Sequence, residues 1–169
     1  MNKKIFLIGP MGSGKSTIGL LLAKKMHLDF YDSDKVIAER TGVDIPRIFD
    51  VEGEKGFRDR EIRIIEELVQ LPNIVLATGG GAVTQKQSRD ALQKNGIVVY
   101  LETSIQQQLQ RVRGDKNRPL LQTENPESRL RELLEQRDPL YREIADFIVR
   151  TDKQHPKSMA ATIIKTINA

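Results

Sequence analysis

Residues 9–17 read GPMGSGKST and follow directly on the apolar run IFLI. Gly9, Gly14, Lys15 and Ser16 have the spacing G-x-x-x-x-G-K-[ST]. A loop of this kind turns successive backbone N–H groups inward, making an anion cradle at a helix N-terminus. In that geometry Lys15 reaches the outer phosphates of a nucleotide and the Ser16 hydroxyl ligates Mg²⁺. A flexible Gly/Ser turn would account for the glycines, but not for a Lys–Ser pair at this offset. The spacing implies a bound nucleoside triphosphate.

A phosphate donor needs something to receive or use the phosphate. Asp32 and Asp34 flank Ser33 at the end of the stretch LDFYDSD. Carboxylates two residues apart share a side if the strand continues through them, one toward a metal and its waters, the other toward an acceptor hydroxyl. Either one alone would also serve as a helix N-cap. Arg58, in EGEKGFRDRE, falls in the first turn of a helix, where the helix dipole disfavours a cation. It serves a ligand or pairs with Glu54, Asp59 or Glu61. Gly79, Gly80 and Gly81 follow the apolar run IVLAT, and three glycines in a row imply close approach of a substrate to the backbone. Arg111, Arg113 and Arg118 lie in or beside a stretch without periodicity, and a cationic lid closing over the nucleotide would exclude water and stabilise the transferring group. Arg137, just before Asp138-Pro139, reads from physics alone as a favourable cation at a helix C-terminus.

These residues need a frame. The chain has 169 residues, ample for a single domain with a proper core. Lys3–Ile8, 28–34, 74–78, 96–101 and 147–150 read as strands, with helical patterns between them over 17–26, 34–40, 44–52, 57–71, 85–94, 104–111 and 127–137, and a helix at the C-terminus. Strands alternating with helices predict a five-stranded parallel sheet flanked by helices. Ligands of such sheets lie outside the carboxyl ends of the strands, which brings the phosphate loop, Asp32/Asp34 and the glycine run to one edge. No apolar run approaches the ~20 residues of a membrane span, and the N-terminus lacks a signal-peptide pattern. The absence of cysteine excludes disulfides, thiolate metal sites and a cysteine nucleophile. His27 and His155 stand apart from any acidic cluster. The net charge of +4 is interleaved along the chain, and aromatic residues are sparse, so a nucleic-acid partner is not expected. The expected protein is a cytoplasmic monomer without nucleic-acid or membrane partners.

The blocks GPMGSGKST, FYDSD, IFDVEGEKGFRDRE, ATGGGAV, RPLL and RDPLY, in this order, resemble the shikimate kinase family over essentially the whole chain. The resemblance implies ATP-dependent phosphorylation of the 3-hydroxyl of shikimate, in the route through chorismate to aromatic amino acids. It also implies the P-loop fold of the nucleoside monophosphate kinases, with a substrate-binding helical region at about 33–61 and a lid at about 112–125. By motif, Gly12, Ser13, Gly14, Lys15, Ser16 and Thr17 would hold the ATP phosphates, with Lys15 catalytic. Ser16 would ligate Mg²⁺, with Asp32 supporting it through water. Asp34 would hold the shikimate hydroxyls and act as base. Arg58 and Arg137 would clamp the carboxylate beside Gly79, Gly80 and Gly81. Arg118 would be the lid arginine on the phosphates, Arg111 would stack on adenine, and Gln154 would lie beside it.

Two other classes compete. A small P-loop kinase of gluconate or of a nucleoside monophosphate shares the loop and the lid, but does not call for this Asp-Ser-Asp, GFRDRE and triple-glycine set together. A GTP-dependent switch would usually carry N-K-x-D, which is absent; GDKN and TDKQ do not match.

Overall fold

Within IFLI every side chain is fully buried, which an edge strand could not achieve. The computed structural model, which describes residues 2–113, 124–152 and 154–169, places this run at the centre of a parallel sheet. The strands are β1 (Lys4–Ile8), β2 (Asp29–Asp32), β3 (Ile74–Ala77), β4 (Ile97–Glu102) and β5 (Phe147–Arg150), in the spatial order β2-β3-β1-β4-β5. Leu7 stands level with Ala77 on one side and Val99 on the other, and β4 continues two residues beyond the level of Ile8.

Alternation along β1 divides the core. Ile5 and Leu7 pack with Ile18 and Leu22 of α1 (Lys15–Met26) and Met159 and Ile163 of α7 (Pro156–Asn168). Phe6 and Ile8 face the other layer, built by α3 (Ile45–Leu68), α4 (Lys86–Asn95) and α6 (Pro126–Ile144) through Ile65, Leu92 and Tyr141. Two shorter helices, α2 (Ser33–Thr41) and α5 (Ile105–Val112), and a 3₁₀ turn at Ala82–Thr84 follow β2, β4 and β3. The expected five-stranded parallel fold is the one observed.

Three local expectations change. β2 ends at Asp32, so Asp34 belongs to the first turn of α2 and not to a strand. The segments 44–52 and 57–71 join into α3, bent at Gly53, whose φ of 74° and ψ of 177° interrupt the helix. Arg58 therefore sits within a longer helix and not at its start. Finally, α6 runs through Pro139 to Ile144. A proline inside a helix removes one hydrogen bond and costs about 3 kcal/mol. Burial of Arg137, Tyr141 and Ile144 on one face of α6 outweighs it. Arg137 is thus in mid-helix, and the C-terminal dipole does not explain its position.

Candidate active site

The phosphate loop links β1 to α1. At Gly9, with φ 148°, a Cβ would lie 2.7 Å from the Leu101 carbonyl of β4, so the turn leaving β1 admits only glycine. Helix α1 begins at Lys15 with Gly14 as its cap and no side-chain hydrogen bond to its first turn. Its leading N–H groups remain available to an anion. Lys15, 9% exposed, lays its ammonium on the carbonyls of Gly9 (2.7 Å) and Pro10 (2.8 Å) and near Ser13 Oγ (3.4 Å). Ser13 is buried, Gly12 and Ser16 are half-buried, and Thr17 is exposed on the first turn.

The loop is tied to β2 through one contact. Ser16 Oγ donates to Asp32 Oδ2 at 2.5 Å. The other oxygen of Asp32 accepts from the backbone N–H groups of Asp34 (3.0 Å) and Lys35 (3.3 Å). Asp32 is therefore the N-cap of α2, a position expected for Ser33 or Asp34. The two carboxylates do not act as a period-two strand pair, because the chain turns into a helix between them. Ser33 is fully buried instead, and its hydroxyl accepts from Gly79 N–H at 3.1 Å, joining the β2 end to the glycine run.

That run lets charged groups approach the backbone. A Cβ on Gly79 would meet Asp34 Oδ1 at 2.7 Å and Glu61 Oε2 at 2.8 Å. A Cβ on Gly81 would meet Arg58 Cζ at 2.7 Å and Arg137 Nη2 at 2.9 Å. A Cβ on Gly80 would lie 3.2 Å from Met11 N, within the phosphate loop. Asp34, Arg58, Arg137 and the loop converge on one turn. The residues expected to hold a donor and an acceptor come together here.

The arginines are buried, Arg58 to 7% exposure and Arg137 to 5%. Arg58 Nη1 donates to Glu61 Oε1 at 2.6 Å, and Nη2 lies 3.5 Å from Glu54 Oε2. The internal partners expected for Arg58 are thus Glu61 and Glu54, while its guanidinium also lies over Gly81. Burial holds the Arg137 guanidinium below the ordinary arginine range, and the charge of Arg58 acts in the same direction. Glu61 has no exposed surface, and burial pushes its carboxyl up to about 7 against the pull of Arg58, with Asp34 adding to the push. Its Oε2 makes no hydrogen bond with any described residue. Two buried cations beside a carboxylate of weakened acidity are an arrangement suited to receiving an added anion.

Arg111 Nη1 donates to the Gly12 carbonyl at 2.8 Å, at the side of the phosphate loop. Gln154 is exposed after β5, and Arg113 is exposed at the end of α5. Arg118 and most of the expected lid lie outside the described residues. Two site residues escaped the sequence reading in their roles. Glu61 was named only as one of three possible partners, although its i, i+3 offset from Arg58 is a signal for pairing on a helix. Tyr141 was not singled out, and its i, i+4 offset from Arg137 places the two on one face of α6.

A family model described as Shikimate kinase matches residues 11–168. The chain is 57% identical to the shikimate kinase of Vibrio parahaemolyticus over 165 residues, covering 98% of this chain and 96% of that protein. It is 58% identical to the shikimate kinase of Legionella pneumophila over 163 residues, 96% and 93% of the respective lengths. Among solved structures, shikimate kinase from Acinetobacter baumannii in complex with shikimate superposes with a TM-score of 0.98 at 50% identity, over 99% of this chain and 94% of that one. With the phosphate loop, the glycine run and the paired arginines in place, the chain belongs to the shikimate kinase family.

Proposed function

We propose that the chain transfers the γ-phosphoryl group of ATP to the 3-hydroxyl of shikimate, giving shikimate 3-phosphate and ADP on the route to chorismate and the aromatic amino acids. The observation that carries this reading is the convergence of Arg58 and Arg137 over Gly81, beside Asp34 and against the phosphate loop. Such a pair suits a planar carboxylate on the acceptor, gripped by guanidinium forks. Family membership supports the acceptor.

The loop from Gly12 to Thr17 holds the ATP phosphates. Lys15 moves from the carbonyls of Gly9 and Pro10 to the β- and γ-phosphates. Asp34 accepts a hydrogen bond from the 3-hydroxyl and takes its proton as the new O–P bond forms and the bond from Pγ to the β–γ bridging oxygen breaks. Ser16 and Asp32, hard oxygen donors 2.5 Å apart, fit Mg²⁺, which supplies charge neutralisation on the phosphates when bound. Arg111 and Gln154 are assigned to adenine by motif, and Arg118 with the segment at about 112–125 to a lid. The helices over about 33–61 form the acceptor-binding region of a single P-loop kinase domain. Among the described residues no helix is long and apolar enough to cross a membrane. The protein acts as a cytoplasmic monomer without membrane or nucleic-acid partners.

Coupled ADP release tests the reading. Shikimate should support turnover, and the same molecule without its carboxylate should not at comparable concentration. Arg58→Ala and Arg137→Ala should each raise KM for shikimate by the equivalent of about 2–3 kcal/mol. If both lose equally against acid and analogue, the arginines are structural.

A further inference from the structure

The three carbonyls of the glycine run are held in different ways. Gly79 O accepts from Ala82 N at 3.1 Å, and Gly81 O accepts from Thr84 N at 3.1 Å and Thr84 Oγ1 at 2.7 Å. These bonds are local to the turn. Gly80 O instead accepts from the hydroxyl of Tyr141, at 2.5 Å, across from α6. Tyr141 is 1% exposed, and its ring is tilted against Tyr100 with centroids 4.8 Å apart, so the hydroxyl is fixed by packing as well as by its acceptor. Burial raises the Tyr141 phenol above its ordinary range, which keeps it a neutral donor, and the Arg137 guanidinium sits beside it.

A carbonyl and the next N–H share one rigid plane and point in opposite directions when the peptide is trans, as all described peptides here are. Fixing Gly80 O therefore fixes Gly81 N–H. Gly81 is buried, and its N–H donates to no backbone carbonyl in the turn. Buried backbone donors are almost always paired, so an N–H held in this place can serve a ligand atom. The guanidinium groups of Arg58 and Arg137 cover the same residue.

We propose that Tyr141 is a positioning residue of the acceptor site, its hydroxyl orienting the Gly80–Gly81 peptide so that Gly81 N–H joins Arg58 and Arg137 on the acceptor carboxylate. Three successive glycines leave this peptide plane free to rotate, and one bond from a rigid helix removes that freedom. The same face of α6 supplies Arg137 and the bond that aims the N–H, so the two donors keep a common geometry. The proposal rests on the acceptor reading given above.

The test is Tyr141→Phe, with Tyr100→Phe as the control; Tyr100 donates to Asp138 Oδ1 at 2.7 Å, away from the glycine run. In Tyr141→Phe, KM for shikimate should rise about tenfold while kcat and KM for ATP stay within about threefold. Against the acceptor lacking its carboxylate, that loss should vanish. The Gly81 amide ¹⁵N resonance of the ligand-free protein should move upfield, because the carbonyl of its own peptide loses a hydrogen bond. Tyr100→Phe should change none of these. An unmoved Gly81 resonance, or an equal loss against both acceptors, overturns the proposal. A moved resonance in a protein whose parent does not phosphorylate shikimate overturns the acceptor reading instead. If Tyr141→Phe fails to fold, 3-fluorotyrosine at position 141 keeps the ring and strengthens the donor. Gly81 should then shift downfield, and no shift overturns the proposal.

Discussion

Arg58 and Glu61 sit one turn apart on α3 and meet 2.6 Å from each other with almost no solvent contact. The bond holds one of the two guanidinium groups over Gly81 at the cost of a buried carboxylate. Its carboxyl, pushed from 4.5 up to about 7 by burial, keeps a proton that the unfolded chain would release. Between those values the folded state binds more protons than the unfolded one, so this group makes stability fall as pH rises, by at most about 1.4 kcal/mol per pH unit. Glu61→Gln lacks the effect. Thermal unfolding of parent and variant should show the melting-temperature difference shifting toward the variant as pH rises through that window. A difference that does not vary with pH would refute the coupling.

Acceptor binding should take up protons. A carboxylate placed on Arg58 and Arg137 adds negative charge beside Glu61 and raises its carboxyl further. Calorimetric titration with shikimate near neutral pH, in buffers of differing ionisation enthalpy, should report net proton uptake. Glu61→Gln should abolish most of it. Equal uptake by both proteins would assign the proton to another group.

Asp32 and Asp34 should separate cleanly. Asp32→Ala removes the cap of α2 and the partner of Ser16, so stability should fall by about 1 kcal/mol and MgATP should be used less well. Asp34→Asn should keep shikimate affinity within about tenfold while kcat falls by about 10²–10⁴, the contribution of a positioned base. Near-normal kcat would leave Asp34 as a substrate contact only. Melting curves, kcat and shikimate affinity on both variants decide.

Gly81→Ala tests the shared surface of the arginines. The added methyl would meet Arg58 Cζ at 2.7 Å and Arg137 Nη2 at 2.9 Å, so both guanidinium groups must move. KM for shikimate should rise at least about tenfold, with KM for ATP little changed. An unchanged shikimate KM would show that the carboxylate binds elsewhere.

The phosphate loop, the parallel sheet and the convergence of the glycine run with Asp34 were legible because each depends on local patterns: spacing, apolar runs and alternation. The misreadings at Pro139, Asp32 and Glu61 arose where tertiary burial overrode a local rule. Pro139 reads as a helix stop, yet Tyr141 and Ile144 bury well enough to carry α6 past it. Asp32, and not Ser33 or Asp34, became the cap of α2, because the buried Ser33 hydroxyl is taken by Gly79 N–H. Glu61 stayed one of three candidates for Arg58, since Asp59 and Glu54 also lie within four residues of it. Only the packing of α3 shows which of them is inward: Glu61 is fully buried, whereas Asp59 pairs with Lys55 at the surface.

The central place of β1 has a consequence for biosynthesis. Lys4–Ile8 leaves the ribosome before the other strands, but its neighbours in the sheet are residues 74–77 and 97–102. The turn at Gly9 is itself bounded by the Leu101 carbonyl. A nascent chain therefore carries this apolar segment unpaired until residues 74–77 have been made, and without its second neighbour until residues 97–102 follow. Such long-range pairing slows folding and prolongs exposure of a sticky segment. The first strand is where a translating cell must guard this protein against aggregation.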